Sequence, residues 1–178
     1  MPTLLTHPAV PLAMACALAD KPVSGRLLIA GIVVSILPDL DTLGFRFNIP
    51  YGAELGHRGF SHSLLCALII AVLGALAADW LRSTRVRSFV FLFLAAASHG
   101  ILDTFTNGGL GVALLWPYSE HRYFAPWRPI AVSPFGLERF IARAPTLLAS
   151  ELRWVWLPLF SAALVVLGGR LLFRRQKA

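Results

Sequence analysis

Histidine and aspartate recur in this chain at spacings that could hold a metal ion. His99 and Asp103 stand four residues apart near the end of an apolar run. That separation puts both on one face of a helix, roughly 6 Å apart at Cβ. A helix can offer a metal two ligands in this way, or the aspartate can orient the histidine by a hydrogen bond. The second cluster is Gly56-His57-Arg58-Gly59-Phe60-Ser61-His62-Ser63. Its two histidines do not share a helix face, but a loop entering a helix can bring them together, with Gly59 giving the backbone its freedom. Arg58 suits a phosphate or carboxylate through its planar fork of donors, or else it snorkels to lipid headgroups. The third cluster is Pro38-Asp39-Leu40-Asp41, where proline ends an apolar run and lets the chain turn. Its carboxylates could flank one or two divalent ions, or form a polar helix terminus with an Asp turn. His7, in Thr6-His7-Pro8, reads either as a further ligand or as an interfacial histidine.

Composition decides what kind of element must carry these clusters. Of 178 residues, 57% are hydrophobic and only 14% charged, the latter against roughly 25% in a typical globular chain. Too few polar residues are present to cover a water-facing surface. A soluble globular enzyme, a disordered tail and a nucleic-acid module are therefore excluded as first readings. The class left is an all-α, polytopic membrane protein. The net charge of +7 then speaks of topology and lipid contact, because fourteen of the sixteen basic residues are Arg and most edge apolar runs. Cys16 and Cys66 lie inside apolar runs with no metal or redox spacing around them. A cleavable signal peptide is not expected, since no charged segment precedes Lys21.

Unbroken apolar length predicts three clear spans, His62 to Trp80, Ser88 to Phe105 and Leu152 to Phe173. Two weaker segments, Leu4 to Ala19 and Arg26 to Leu37, pair through the turn at Asp20 to Gly25. The expectation is a bundle of about five spans forming a single integral membrane domain over residues 1–178, with a long loop at about 106–151. The short connections around Lys21/Arg26, Arg82/Arg85/Arg87 and Arg174/Arg175/Lys177 are dense in positive charge, which puts them on the cytoplasmic side. Parity then gathers every histidine, with Asp39, Asp41 and Asp103, on the opposite face. That conclusion survives an exchange of inside and outside.

Three clusters of zinc-, manganese- or iron-binding residue types on one face point to a metal site. The candidates exceed the four ligands of one tetrahedral zinc, so either two ions are bound or some residues act behind the ligands. The Gly56–Ser63 run, with Pro38-Asp39-Leu40-Asp41 before it and Ser98-His99-Gly100-Ile101-Leu102-Asp103-Thr104-Phe105-Thr106-Asn107-Gly108-Gly109 after it, resembles the YdjM/YbcI-type family of bacterial inner-membrane proteins. The resemblance runs from His7 to about Phe140 and includes Trp116, Pro117, Glu138 and Arg139. His121 has no counterpart and is left out of the site.

The resemblance implies a membrane-bound, metal-dependent hydrolase of the inner membrane. On that reading His57, His62, His99, Asp103 and Asp39 are the first ligands, with His7 next, for one or two divalent ions, zinc or manganese. The ions lower the pKa of a water and polarise the scissile bond. Asp41 is the expected general base, and Arg58 the group that holds substrate charge. A lipid-linked phosphoester suits Arg58 and the membrane setting, an amide remains open, and no nucleic-acid partner is expected. The rival readings are a metal-ion transporter and a metal-stabilised scaffold without turnover. Few polar residues continue toward the opposite face, apart from Asp79, which favours a one-sided site. Glu138 reads as a further ligand or an arginine partner. Trp116, Trp154 and Trp156 read as interfacial aromatic residues.

Overall fold

Apolar runs with polar caps form six α-helices in the computed structural model, which describes residues 1–176. They are α1 (Ala9–Ala17), α2 (Gly25–Ile36), α3 (Leu64–Leu76), α4 (Arg85–Thr104), α5 (Leu137–Glu151) and α6 (Leu157–Arg175). Ser24, Ser63 and Thr84 cap α2, α3 and α4, each accepting from an amide of the first turn. Each cap satisfies a donor that the helix cannot satisfy itself. Pro38 lacks an amide hydrogen, and from Leu37 to Phe47 the chain tightens into a 3₁₀ helix. There is no strand among the described residues; two isolated bridges, Thr106 to Ile130 and Val112 to Tyr123, pin the long irregular segment.

Helix α4 is the centre of the molecule, packed against α1, α2 and α3. Small side chains make the approach close: Ala67 on α3 packs with Ala96 and Ala97 on α4. The outer surface is apolar, with Leu73, Leu76 and Val165 well exposed, as suits a lipid solvent. Three helical runs are long and apolar enough to cross a membrane: Gly25–Phe47, Arg85–Thr104 and Leu137–Arg175. Helices α1 and α3 are shorter than the apolar runs that contain them. Proline interrupts the first run, and turns replace helix after Leu76 in the other.

The segment expected to be loop as far as Glu151 contains α5. A π turn at Leu152–Trp156 joins α5 to α6, so one helical run extends over 39 residues. The charges of α5 hid it from a search for unbroken apolar length.

The two ends of the bundle differ in kind. At one end Arg170 donates to both carboxylate oxygens of Asp20, at 2.8 and 3.0 Å, and Arg174 reaches the Asp20 carbonyl. Arg87 bonds the Lys21 carbonyl and Arg26 the Trp80 carbonyl, so the α1–α2 turn, the α3–α4 turn and the end of α6 lie together. Lys177, counted with that basic end, lies outside the described residues. The histidine and aspartate clusters occupy the other end.

Candidate metal centre

Each cluster arrives on its own element. His7 immediately precedes α1, Asp39 and Asp41 lie on the 3₁₀ segment after α2, and His57 and His62 flank the turn into α3. His99 and Asp103 are one turn apart on α4. All of these except Asp41 are almost wholly buried, and His7, His99 and Asp103 have no exposed surface. The donor atoms of His7, His99 and Asp103 lie within 4.8 Å of one another, as do those of Asp39, His57 and His62; either group could hold a metal ion.

Hydrogen bonds assign the imidazole protons. His99 Nδ1 is 2.7 Å from the Ser35 carbonyl, which only accepts, so Nδ1 carries the hydrogen and Nε2 is bare. His62 Nδ1 lies 3.2 Å from Asp41 Oδ2, whose other neighbour, the Ser61 hydroxyl, donates to the same oxygen at 2.7 Å. As a neutral ring, His62 would also turn a bare Nε2 inward. The two Nε2 atoms stand 3.0 Å apart. Two nitrogens at that distance share either a proton or a metal ion.

The carboxylates make the same demand. Both oxygens of Asp39, both oxygens of Asp103 and both nitrogens of His7 are buried without a hydrogen-bond partner. Asp39 Oδ1 is 3.4 Å from His99 Nε2 and 3.7 Å from His62 Nε2, while His7 stacks on His99 with ring centroids 3.7 Å apart. Three carboxylates here face the Arg58 guanidinium and the Met1 amino group, 3.9 Å from Asp103 Oδ1, so with neutral histidines at least one negative charge is left over. Uncompensated charge at such depth is costly, and a divalent cation removes it. The nitrogen and oxygen donors suit zinc, manganese or iron.

Asp41 is differently employed. It bonds His57 Nδ1 at 2.7 Å and also takes the Ser61 hydroxyl and the Arg58 amide. Both its oxygens are occupied by these donors. Asp41 thereby orients the His57 and His62 rings, as a carboxylate behind a metal-binding histidine does.

Arg58 also departs from its expected role. Its side chain is fully buried, with Nε 2.9 Å from Asp103 Oδ2. One terminal nitrogen donates to the Gly108 and Leu110 carbonyls, and the other to the Thr106 hydroxyl. The 106–110 turn wraps around the fork and leaves it neither a headgroup nor a substrate to hold. Arg58 itself adopts the left-handed φ of 64°, whereas Gly59 is needed for close approach: a Cβ there would meet the Glu54 carbonyl at 2.0 Å.

Sequence reasoning missed two residues that shape the site. A Cβ on Gly100 would meet the His62 carbonyl oxygen at 2.4 Å, so glycine lets α4 lie against the His62 backbone. Its only signal was its place beside His99. Glu151, buried where α5 meets the π turn, accepts from the Thr3 and Thr6 hydroxyls at 2.7 Å each. It ties the segment bearing His7 to the long helix; a lone carboxylate bordering an apolar run was its signal.

Phe45, Tyr51 and Phe135 surround His57, with ring centroids 6.4, 5.1 and 5.8 Å away. Burial pushes the Tyr51 phenol above its ordinary value, so it remains neutral there. His121 is exposed and packs on Tyr123, away from the cluster. Glu138 is exposed and has no ion pair among the described residues. Trp116 donates to Glu54 at 3.3 Å, and Trp156 donates to Thr6.

No solved structure matches this chain. Inner membrane protein YbcI of Escherichia coli (strain K12) is 46% identical over 160 residues, 89% of this chain and 92% of that protein. Inner membrane protein YdjM of the same strain is 35% identical over 132 residues, 65% of this chain and 60% of its own length. With its apolar helices and these relatives, the chain is an inner-membrane protein. Residues 1–176 match the family described as YdjM inner membrane protein, and the chain belongs to that family.

Proposed function

We propose that this protein is a metal-dependent hydrolase that acts on a lipid-linked phosphoester at the extracytoplasmic face of the membrane. One or two ions, zinc or manganese, would be held by His7, Asp39, His57, His62, His99 and Asp103. The facing Nε2 atoms of His62 and His99, beside an Asp39 carboxylate that has no hydrogen bond among the described residues, are the observation that carries this reading. A bound ion would activate water and polarise the scissile bond. Asp41 holds two of the imidazoles in the ligating tautomer. Arg58 offsets one carboxylate and fixes the 106–110 turn over the cluster.

A transport pathway would need polar groups continuing through the bundle. Between Leu64 and Leu76, α3 offers only Cys66, which supports a one-sided site.

Elemental analysis of the purified protein beside His62→Ala tests the metal. Divalent metal at one or two equivalents should be found in the wild type and should fall to a small fraction in the variant; equal content would end the proposal. Metal-loaded protein should then turn over a phosphomonoester, phosphodiester or lipid phosphate, and silence on all three would support the scaffold reading. For orientation, a reporter active only in the periplasm should be silent when fused after Ser83 and active near Gly108. The reverse pattern would place the site in the cytoplasm.

A further inference from the structure

Three faces of α5 carry three different chemistries. Leu147 and Glu151 are buried on one, with half-buried Phe140 beside them. Leu137, Ile141 and Leu148 form the next, 75%, 63% and 45% exposed. Arg139 and Arg143, four residues apart, share the last. An apolar stripe and a cationic one on opposite flanks of the helix are the pattern of a segment lying in the membrane interface. Length agrees. The 39-residue run from Leu137 to Arg175 would extend about 58 Å, nearly twice the hydrocarbon thickness. The 19 residues of α6 cross it alone at about 28 Å, which leaves α5 at the headgroups. Pro145 within α5 and the π turn between the two helices are features at which helices bend.

The two arginines are free where Arg58 is not. Neither has an ion pair or side-chain hydrogen bond among the described residues, and Glu138 points from a different sector of the helix. With Pro134 and Ala142 they line a cavity of about 410 Å³. Pro134 is shared with an apolar groove of about 370 Å³, walled by Leu4, Leu5, Phe135, Leu137 and Phe140. Phe135 packs its edge against His57. A cationic pocket, an apolar groove and the histidine cluster therefore lie in sequence.

We propose that Arg139 and Arg143 bind the phosphate of an anionic membrane lipid whose chains lie along the Leu4/Phe135/Phe140 groove. That this lipid is also the substrate rests on the hydrolase reading; that it binds does not. Paired guanidinium forks match phosphate oxygens, and the groove matches acyl or isoprenoid chains.

Binding of radiolabelled phosphatidic acid tests this, using the full-length protein in phosphatidylcholine nanodiscs after metal has been stripped with chelator. Arg139→Gln and Arg143→Gln should each weaken binding roughly fivefold, and the double variant about 30-fold. Metal content measured before stripping should match the wild type, which shows that the variant folds; if the double variant loses metal, the single variants decide. Unchanged lipid affinity in the variants would overturn the proposal, as would equal binding of phosphatidylcholine. Displacement by millimolar inorganic phosphate would assign the pocket to a free anion and overturn the lipid. Full metal retention in His62→Ala would overturn the hydrolase reading alone, because lipid binding is read on stripped protein.

Discussion

Asp20 at one end of the bundle and Asp39 and Asp103 at the other are all carboxylates beside arginine or histidine, yet they are treated in opposite ways. Asp20 receives two bonds from Arg170 and lies 3.3 Å from Arg174 Nε, with both arginines partly exposed. Its charge is answered within the chain. Asp39 and Asp103 are buried; Asp103 has the internal Arg58 guanidinium at 2.9 Å, and among the described residues Asp39 has only histidines as basic partners within 4 Å of its oxygens. The difference separates a closure from a socket. A satisfied ion pair at the edge holds helices in place; a partnerless carboxylate in the interior is poised for a cation from outside.

Breaking the socket should have the largest effect. Asp103→Ala removes a ligand and strands the Arg58 guanidinium, so it should lose metal and cost about 3–5 kcal/mol of stability. His99→Ala should lose metal with a smaller thermal shift, because it leaves no charge behind. Thermal unfolding in detergent, read beside metal content, separates the two. Equal thermal shifts would deny the Arg58–Asp103 pair its structural weight.

Asp41→Asn sharpens the comparison at the next level. The amide keeps the shape but weakens the hold on His57 and His62, so metal affinity should fall roughly 10–100-fold. Titration of stripped protein with zinc checks this. An unchanged affinity would return Asp41 to the role of a base without influence on the ligands.

The smallest effect belongs to the closure. Asp20→Asn should leave metal content unchanged and lower the unfolding temperature only slightly. The Arg170 hydrogen bond holds the Asp20 carboxyl below its ordinary 3.8. Its contribution is therefore complete above that ordinary value and lost as pH falls through the lower folded one. The temperature difference between wild type and variant should stay constant down to about pH 4 and close below it. A gap that closed near neutrality would mean another group is responsible.

How far the site could be read from sequence follows from the range of each interaction. The shared face of His99 and Asp103 is a property of one helix, and the common end of all three clusters follows from counting crossings. Neither needs side-chain detail. The fate of Arg58 does, because its partners Thr106, Gly108 and Leu110 lie some 50 residues away in a turn of no regular structure. Asp41 is similar: two carboxylates in one tetrapeptide look equivalent, and only the positions of Ser61 and His57 distinguish them, occupying the oxygens of Asp41 and leaving those of Asp39 without a hydrogen bond. Helix α5 was hidden for a different reason, since apolar length detects helices that lipid surrounds and passes over one that meets lipid on a single side.

The contact between Gly100 and the His62 carbonyl makes the width of the cluster a matter of one hydrogen atom. Ordinary van der Waals distance begins about 1 Å beyond the 2.4 Å that a methyl at this position would occupy. Ligand bonds in metal sites hold to about ±0.2 Å. Alanine is the better helix former by roughly 1 kcal/mol, so helix propensity alone would favour it here. That same exchange would prise α4 from the turn into α3 and leave His62 and His99 too far apart to share one ion. Gly100 thus sets the spacing between α4 and the turn that carries His62, in a helix whose own propensity argues against glycine.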